Sequence, residues 1–157
     1  MRIVATKINK TFVFYSFILV CCAFAFVGQV VSTEGFKKQI KERQDNFQIL
    51  KDHMKPLAST IKSGGDLAEI QIRAKEMAEI FAKIPNLFSQ GSGDGTDALP
   101  EIWESWDEFV QISRNAEVEA RKMAELAETK AADYQTLFSV FQEIGKNCKA
   151  CHQRFRN

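Results

Sequence analysis

The sequence predicts an all-α protein, an antiparallel up-and-down four-helix bundle, and three observations carry that expectation. Apolar residues recur at spacings of three, four and seven through most of residues 33–157, the mark of helices with one buried face. Gly and Pro, the strongest breakers, fall at few places and divide this stretch into long segments. No useful length of chain alternates apolar and polar residues with the period of two that a half-buried strand requires. Amphipathic segments with mostly short joints pack as antiparallel neighbours.

A segment of another kind precedes the helices. Arg2, Lys7 and Lys10 give a positive start, Thr11 to Val27 carry no charge, and the first acid is Glu34. Residues 1–32 therefore read as a signal peptide cut after Ser32, with Val30 and Ser32 at the small-residue spacing. Ala23-Phe24-Ala25 is a second place for the cut. An uncleaved anchor is the competing reading, since an apolar run of about 17 residues sits at the lower limit for a span. Cys21 lacks the preceding small residue that a lipoprotein cut needs, so lipid anchoring is not expected. After cleavage no stable membrane span remains, and one domain, residues 33–157, is left.

The first helix of that domain shows Ile40, Phe47, Met54 and Ile61 at heptad spacing, with Leu50 and Leu57 between them. Pro56 should bend it or distort one turn, Ser63-Gly64-Gly65 should stop it, and Asp66 is a good N-cap for the next helix. The second helix buries Leu67, Ile70, Ala74, Met77, Phe81 and Ile84, and Pro85 ends it. Residues 89–99 are polar and Gly-rich and form a loop. Pro100 falls in the first turn of a third helix, with Trp103, Trp106, Val110, Ala120 and Met123 directed inward. The joint to the last helix lies near Thr129 to Asp133. That helix places Tyr134, Leu137, Phe141, Ile144, Cys148 and Cys151 on one face.

Composition narrows the function. Basic and acidic residues number 21 and 20, for a net charge of +1, and no nucleic-acid partner is indicated. The chain holds 13 Phe against 2 Tyr and 2 Trp, which suits an apolar pocket for a large flat ligand and equally suits any well-filled bundle. No set of acid, base and nucleophile stands out, so the chain does not read as an enzyme.

Of the four cysteines, Cys21 and Cys22 leave with the leader, and only Cys148 and Cys151 remain. In an export compartment loose thiols oxidise, so that pair needs a use. Residues at i and i+3 of a helix share a face about one turn apart, a spacing that reaches two vinyl groups on one porphyrin edge. His152 follows Cys148 by four and projects from the same side, as an axial ligand to iron would. Cys148-Lys149-Ala150-Cys151-His152 is therefore read as a covalent attachment site for one haem c. A thioredoxin-like pair would sit in a βαβ unit at a helix N-terminus. Structural zinc would need two more ligands, and His53 is the one other histidine. A Cys148–Cys151 disulfide in a haem-free interaction domain leaves His152 unexplained.

With that motif placed at the C-terminus, the chain resembles the cytochrome c prime family, the class II c-type cytochromes. The resemblance rests on Cys148 to His152 followed by Phe155-Arg156, on Arg43-Gln44 in the first helix, and on Thr96-Asp97-Ala98-Leu99-Pro100-Glu101-Ile102-Trp103 at the start of the third. It implies a haem inside a four-helix bundle, with His152 as proximal ligand, and usually a homodimer in the periplasm. It also implies a pocket containing Arg43, Gln44, Phe47, Trp103 and Arg156, with Arg43 near the propionates. Arg43 holds a seam position, where an unpaired charge is costly, and an anionic partner would resolve that conflict.

The resemblance places Phe47 at the distal position, where low-spin relatives carry Met. Phe cannot ligate, so the implied iron is five-coordinate, open to nitric oxide or carbon monoxide and able to pass electrons to a partner the sequence does not name. Phe47 also fits a plain core position. The competing function is a low-spin, six-coordinate electron carrier using Met54 or His53 as second ligand.

Overall fold

The computed structural model describes the backbone of residues 10–129 and 133–157, and side chains from Glu34 onward outside 130–132. The leader expected over residues 1–32 lies outside the residues whose side chains are described. No helix among the described residues is long and apolar enough to cross a membrane. The chain falls into two compact units, Met1–Lys38 and Gln39–Asn157, and the four-helix bundle is the second.

The long helices are α1 (Lys10–Ser63), α2 (Leu67–Lys83), α4 (Trp106–Glu128) and α5 (Tyr134–Phe155). A 3-10 turn, Ile84–Leu87, follows α2, and a single turn, α3 (Glu101–Glu104), precedes α4. Local chemistry sets the boundaries. Gly64, at φ 63°, takes a left-handed conformation just past the end of α1. The Asp66 carboxylate accepts from the Ala68 amide at 2.9 Å and opens α2. Asp133 accepts from the Gln135 and Thr136 amides and the Thr136 hydroxyl, which opens α5 and holds its carboxyl below the usual range. Pro56 stands inside α1, which continues through it.

Two expectations need correction. The third helix is broken: Ser105 leaves helical geometry at φ −120° and ψ 47°, separating α3 from α4. Helical register is lost there, and Trp106, expected to face inward, is 36 % exposed while Phe109 is buried.

The core runs along all four helices. Leu57 and Ile61 of α1, Ile70 and Met77 of α2, Ala120 and Met123 of α4, and Leu137 and Ile144 of α5 are fully or almost fully buried. Each large apolar side chain removed from water contributes about 1.5–3 kcal/mol. At one end the Tyr134 hydroxyl donates to the Gly65 carbonyl at 2.6 Å, joining the start of α5 to the α1–α2 turn. At the other, the Gln39 amide donates to the Asn86 carbonyl and the Ser89 hydroxyl, both at 2.9 Å. There the chain after α5 is stitched to the loop before α3: Leu99 N–H donates to the Phe155 carbonyl at 3.1 Å and Asn157 N–H to the Asp97 carbonyl at 2.9 Å. The resulting Ala98–Arg156 bridge is isolated, and no strand forms among the described residues.

Candidate functional site

The second of these ends is hollow. A cavity of about 770 Å³ opens there, inside the range of roughly 300–1,000 Å³ that holds large organic ligands. One wall is the last turns of α5, with Cys148, Cys151 and His152 on the cavity. The facing residues of α1 are Arg43, Gln44, Phe47 and Met54. Met77 and Phe81 of α2, Phe88, and Phe109 and Ser113 of α4 complete the lining. The sequence reading did not single out Phe88, Phe109 or Ser113 for the site.

Both cysteines are free and half-buried. Burial pushes the Cys148 thiol up, and burial together with Cys148 pushes Cys151 up to about 11. Neither therefore carries charge at neutral pH. Burial first, and the charge of Arg156 second, lower His152 from its ordinary value. Its imidazole is consequently neutral at neutral pH, the form that binds metals.

Arg43 is only 4 % exposed. Its guanidinium donates to the Ser92 hydroxyl at 3.2 Å, the Ser92 carbonyl at 2.8 Å and the Thr96 hydroxyl at 3.0 Å. It lies 4.5 Å from the centre of the Phe88 ring. Among the described residues its partners are neutral oxygens of the 89–99 loop and an aromatic face. Burial lowers the guanidinium from its ordinary value. Arg156, also on the cavity, is exposed and reaches Asp97 at 3.5 Å.

Two expected site residues lie elsewhere. Trp103 does not border the cavity: its indole N–H donates to the Phe88 carbonyl at 2.9 Å, and its ring lies where a side chain on Gly93 would collide with it. That hydrogen bond turns the ring against the loop. His53 is held at the α1–α2 contact, with Nε2 3.0 Å from Glu76 and Nδ1 3.1 Å from Arg73, and it too is absent from the cavity wall.

The residues fit a haem. Two unpaired thiols and an imidazole share one wall, the rest of the lining is largely apolar, and guanidinium groups border it. Together, bundle and cavity define a class: a helical protein that carries a large flat cofactor anchored from its last helix. The family model described as Cytochrome C' matches residues 38–156, and the chain belongs to that family. It is accordingly a haem c protein, with the cofactor covalently attached. Cytochrome c-556 of Agrobacterium tumefaciens is 31 % identical over 130 residues, covering 82 % of this chain and 97 % of the relative. Cytochrome c' of Rhodospirillum rubrum is 29 % identical over 122 residues, covering 74 % and 80 %. Among solved structures, a nitric oxide complex of a mutant cytochrome c prime from Alcaligenes xylosoxidans superposes with a TM-score of 0.68 at 27 % identity, covering 78 % of this chain and 96 % of that one.

Proposed function

We propose that this chain is an exported, periplasmic haem c protein with five-coordinate iron, acting in electron transfer and in binding nitric oxide or carbon monoxide. Cys148 and Cys151 would hold the haem through thioether links, and His152 would supply a nitrogen ligand to its iron. When bound, the haem supplies one-electron chemistry and an open coordination position. The remaining steps belong to the chain's own side chains. Phe47 closes the α1 side with a ring that cannot ligate, held edge-on to Phe88 at 6.5 Å between centroids. Apolar walls from Met77, Phe81 and Phe109 keep water scarce and favour small uncharged ligands. Arg43 would hold positive charge near the propionates, and Arg156, whose charge lowers His152, would stand on the proximal side.

The observation that carries this reading is Phe47 on the cavity wall with the motif residues on the wall formed by α5. The nitric oxide complex of the Alcaligenes relative supports the gas-binding part. The six-coordinate alternative keeps one supporting observation, since Met54 also borders the cavity. Met54 lies seven residues beyond Phe47, roughly 10 Å along the helix, which argues against a simple exchange. His53 is committed to Glu76 and Arg73. A homodimer follows from the family likeness and is part of the proposal.

Absorption spectra of the holoprotein, oxidised and reduced, before and after nitric oxide, test the assignment. High-spin bands that change with the gas are expected. Sharp low-spin reduced bands indifferent to it would transfer the reading to the Met54 carrier.

A further inference from the structure

Outside the haem cavity the surface carries a second concave feature. It is a shallow depression of about 390 Å³ bordered by Pro85, Asn86, Ser89, Gln90, Trp103 and Trp106. The two sides differ in character. Trp103 is fixed by its hydrogen bond to the Phe88 carbonyl, whereas Trp106 presents 36 % of its surface to solvent. An immobilised indole beside an exposed one supplies contact area at little conformational cost, which is why Trp is enriched where proteins meet.

This depression lies one aromatic contact from the haem cavity. The Trp106 ring is 5.6 Å from that of Phe109. Phe109 in turn is 4.9 Å from Phe88 and 5.4 Å from Phe155, and all three phenylalanines border the cavity. The surface indole and the cofactor chamber therefore share a wall.

Charge identifies the kind of partner. Between Lys83 and Arg114 the chain has six carboxylates, Asp94, Asp97, Glu101, Glu104, Asp107 and Glu108, and no Lys, Arg or His. Asp97 and Glu108 approach Arg156 and Arg154, at 3.5 and 3.7 Å. Glu104 and Asp107, on either side of Trp106 in the chain, are exposed and have no ion-pair partner within 4 Å among the described residues. Helix N-termini favour acids and account for Asp107 and Glu108 in the first turn of α4. They do not account for an indole-lined hollow between those acids and the 3-10 turn.

We propose that the Trp103–Trp106 face docks a basic, lysine-rich one-electron carrier protein. Carboxylates steer the encounter and the indoles form its centre. In the docked pair the carrier's reduced metal centre gives up one electron and the ferric haem iron gains it, with no bond or proton changing hands. This rests on the haem reading above.

The test titrates the holoprotein with a lysine-rich class I cytochrome c as probe, by calorimetry at low and high salt. Stopped-flow absorbance follows electron transfer in parallel. Glu104→Lys with Asp107→Lys should weaken binding at least tenfold at low salt and slow electron transfer in step. Trp106→Ser should weaken binding several-fold even at high salt, where carboxylate steering is screened. Glu125→Lys with Glu128→Lys, at the far end of α4 and outside the acidic segment, makes the same change in net charge and should keep most of the wild-type affinity. Circular dichroism and the visible spectrum report whether each variant is folded and loaded.

Wild-type affinity in the double charge reversal overturns the proposal. So does a loss of binding in Glu125→Lys with Glu128→Lys as large as that in the reversal. A concentration-dependent dimer of the wild type that Trp106→Ser dissolves also overturns it, assigning the face to a second copy of the chain. Failure of the haem reading is seen separately, as a preparation without a covalent haem spectrum.

Discussion

The two ends of the bundle are built from the same four helices and the same apolar spacing, yet one is filled and the other hollow. At the filled end, Leu57, Ile61, Ile70, Met123 and Leu137 are at most 2 % exposed, and the Tyr134 hydroxyl locks the last helix to the α1–α2 turn. At the hollow end, Phe47, Met54, Cys148 and Cys151 sit at equivalent inward positions, yet each stays partly exposed, bordering about 770 Å³ of space. The difference teaches that periodicity reports which side of a helix faces inward and is silent about what meets it. Protein interiors rarely leave spaces of this size between packed side chains, so a cavity of these dimensions is one shaped to take a large organic ligand.

That contrast can be broken at either end. The largest effect is expected for His152→Ala, which should leave covalent haem poorly incorporated and abolish the normal axial field. An unchanged visible spectrum would refute the ligand assignment. At the filled end, Leu137→Ala should cost about 3 kcal/mol of stability through lost burial and the void it leaves. Denaturant unfolding of the holoprotein checks this. Its haem spectrum should not change, because Leu137 does not border the cavity.

Phe47→Met sharpens the comparison at the hollow end. Paramagnetic resonance should show a shift from high towards low spin, and a persistent high-spin signal would remove Phe47 from its place over the iron. Tyr134→Phe should lower stability by about 1 kcal/mol, the net value of its hydrogen bond to the Gly65 carbonyl. Asp66→Ala should cost a similar amount, about 1 kcal/mol, by removing the cap of α2. Both read out as midpoint shifts without spectral change.

Much of the fold was legible because it follows from local rules. Asp66 and the Gly64 turn are short-range chemistry, and Asp133 opens the last helix inside the interval expected for that joint. The motif residues were legible for the same reason, since i, i+3 and i+4 lie together on any helix. The break at Ser105 was not legible. Nothing in Trp-Glu-Ser-Trp signals it, and its consequence, an exposed Trp106, depends on how α3 and α4 dock.

Long-range hydrogen bonds account for the remaining differences. Trp103 was assigned to the pocket, but the Phe88 carbonyl claims its indole. His53 was a candidate ligand, but Glu76 and Arg73, on the next helix, take both ring nitrogens. Arg43 was correctly marked as a charge in a seam. Its neutral partners, Ser92 and Thr96, lie 49 and 53 residues away in sequence, beyond the reach of any local pattern.

The central claim is that the hollow end keeps the iron open beneath Phe47. Resonance Raman spectroscopy of the wild-type holoprotein, ferric and ferrous, tests it most directly, because the porphyrin marker bands report coordination number and spin without any added ligand. The account predicts five-coordinate, high-spin bands in the ferrous state. Six-coordinate, low-spin ferrous bands that are lost in Met54→Leu would contradict it and make the same cavity that of an electron carrier closed by Met54.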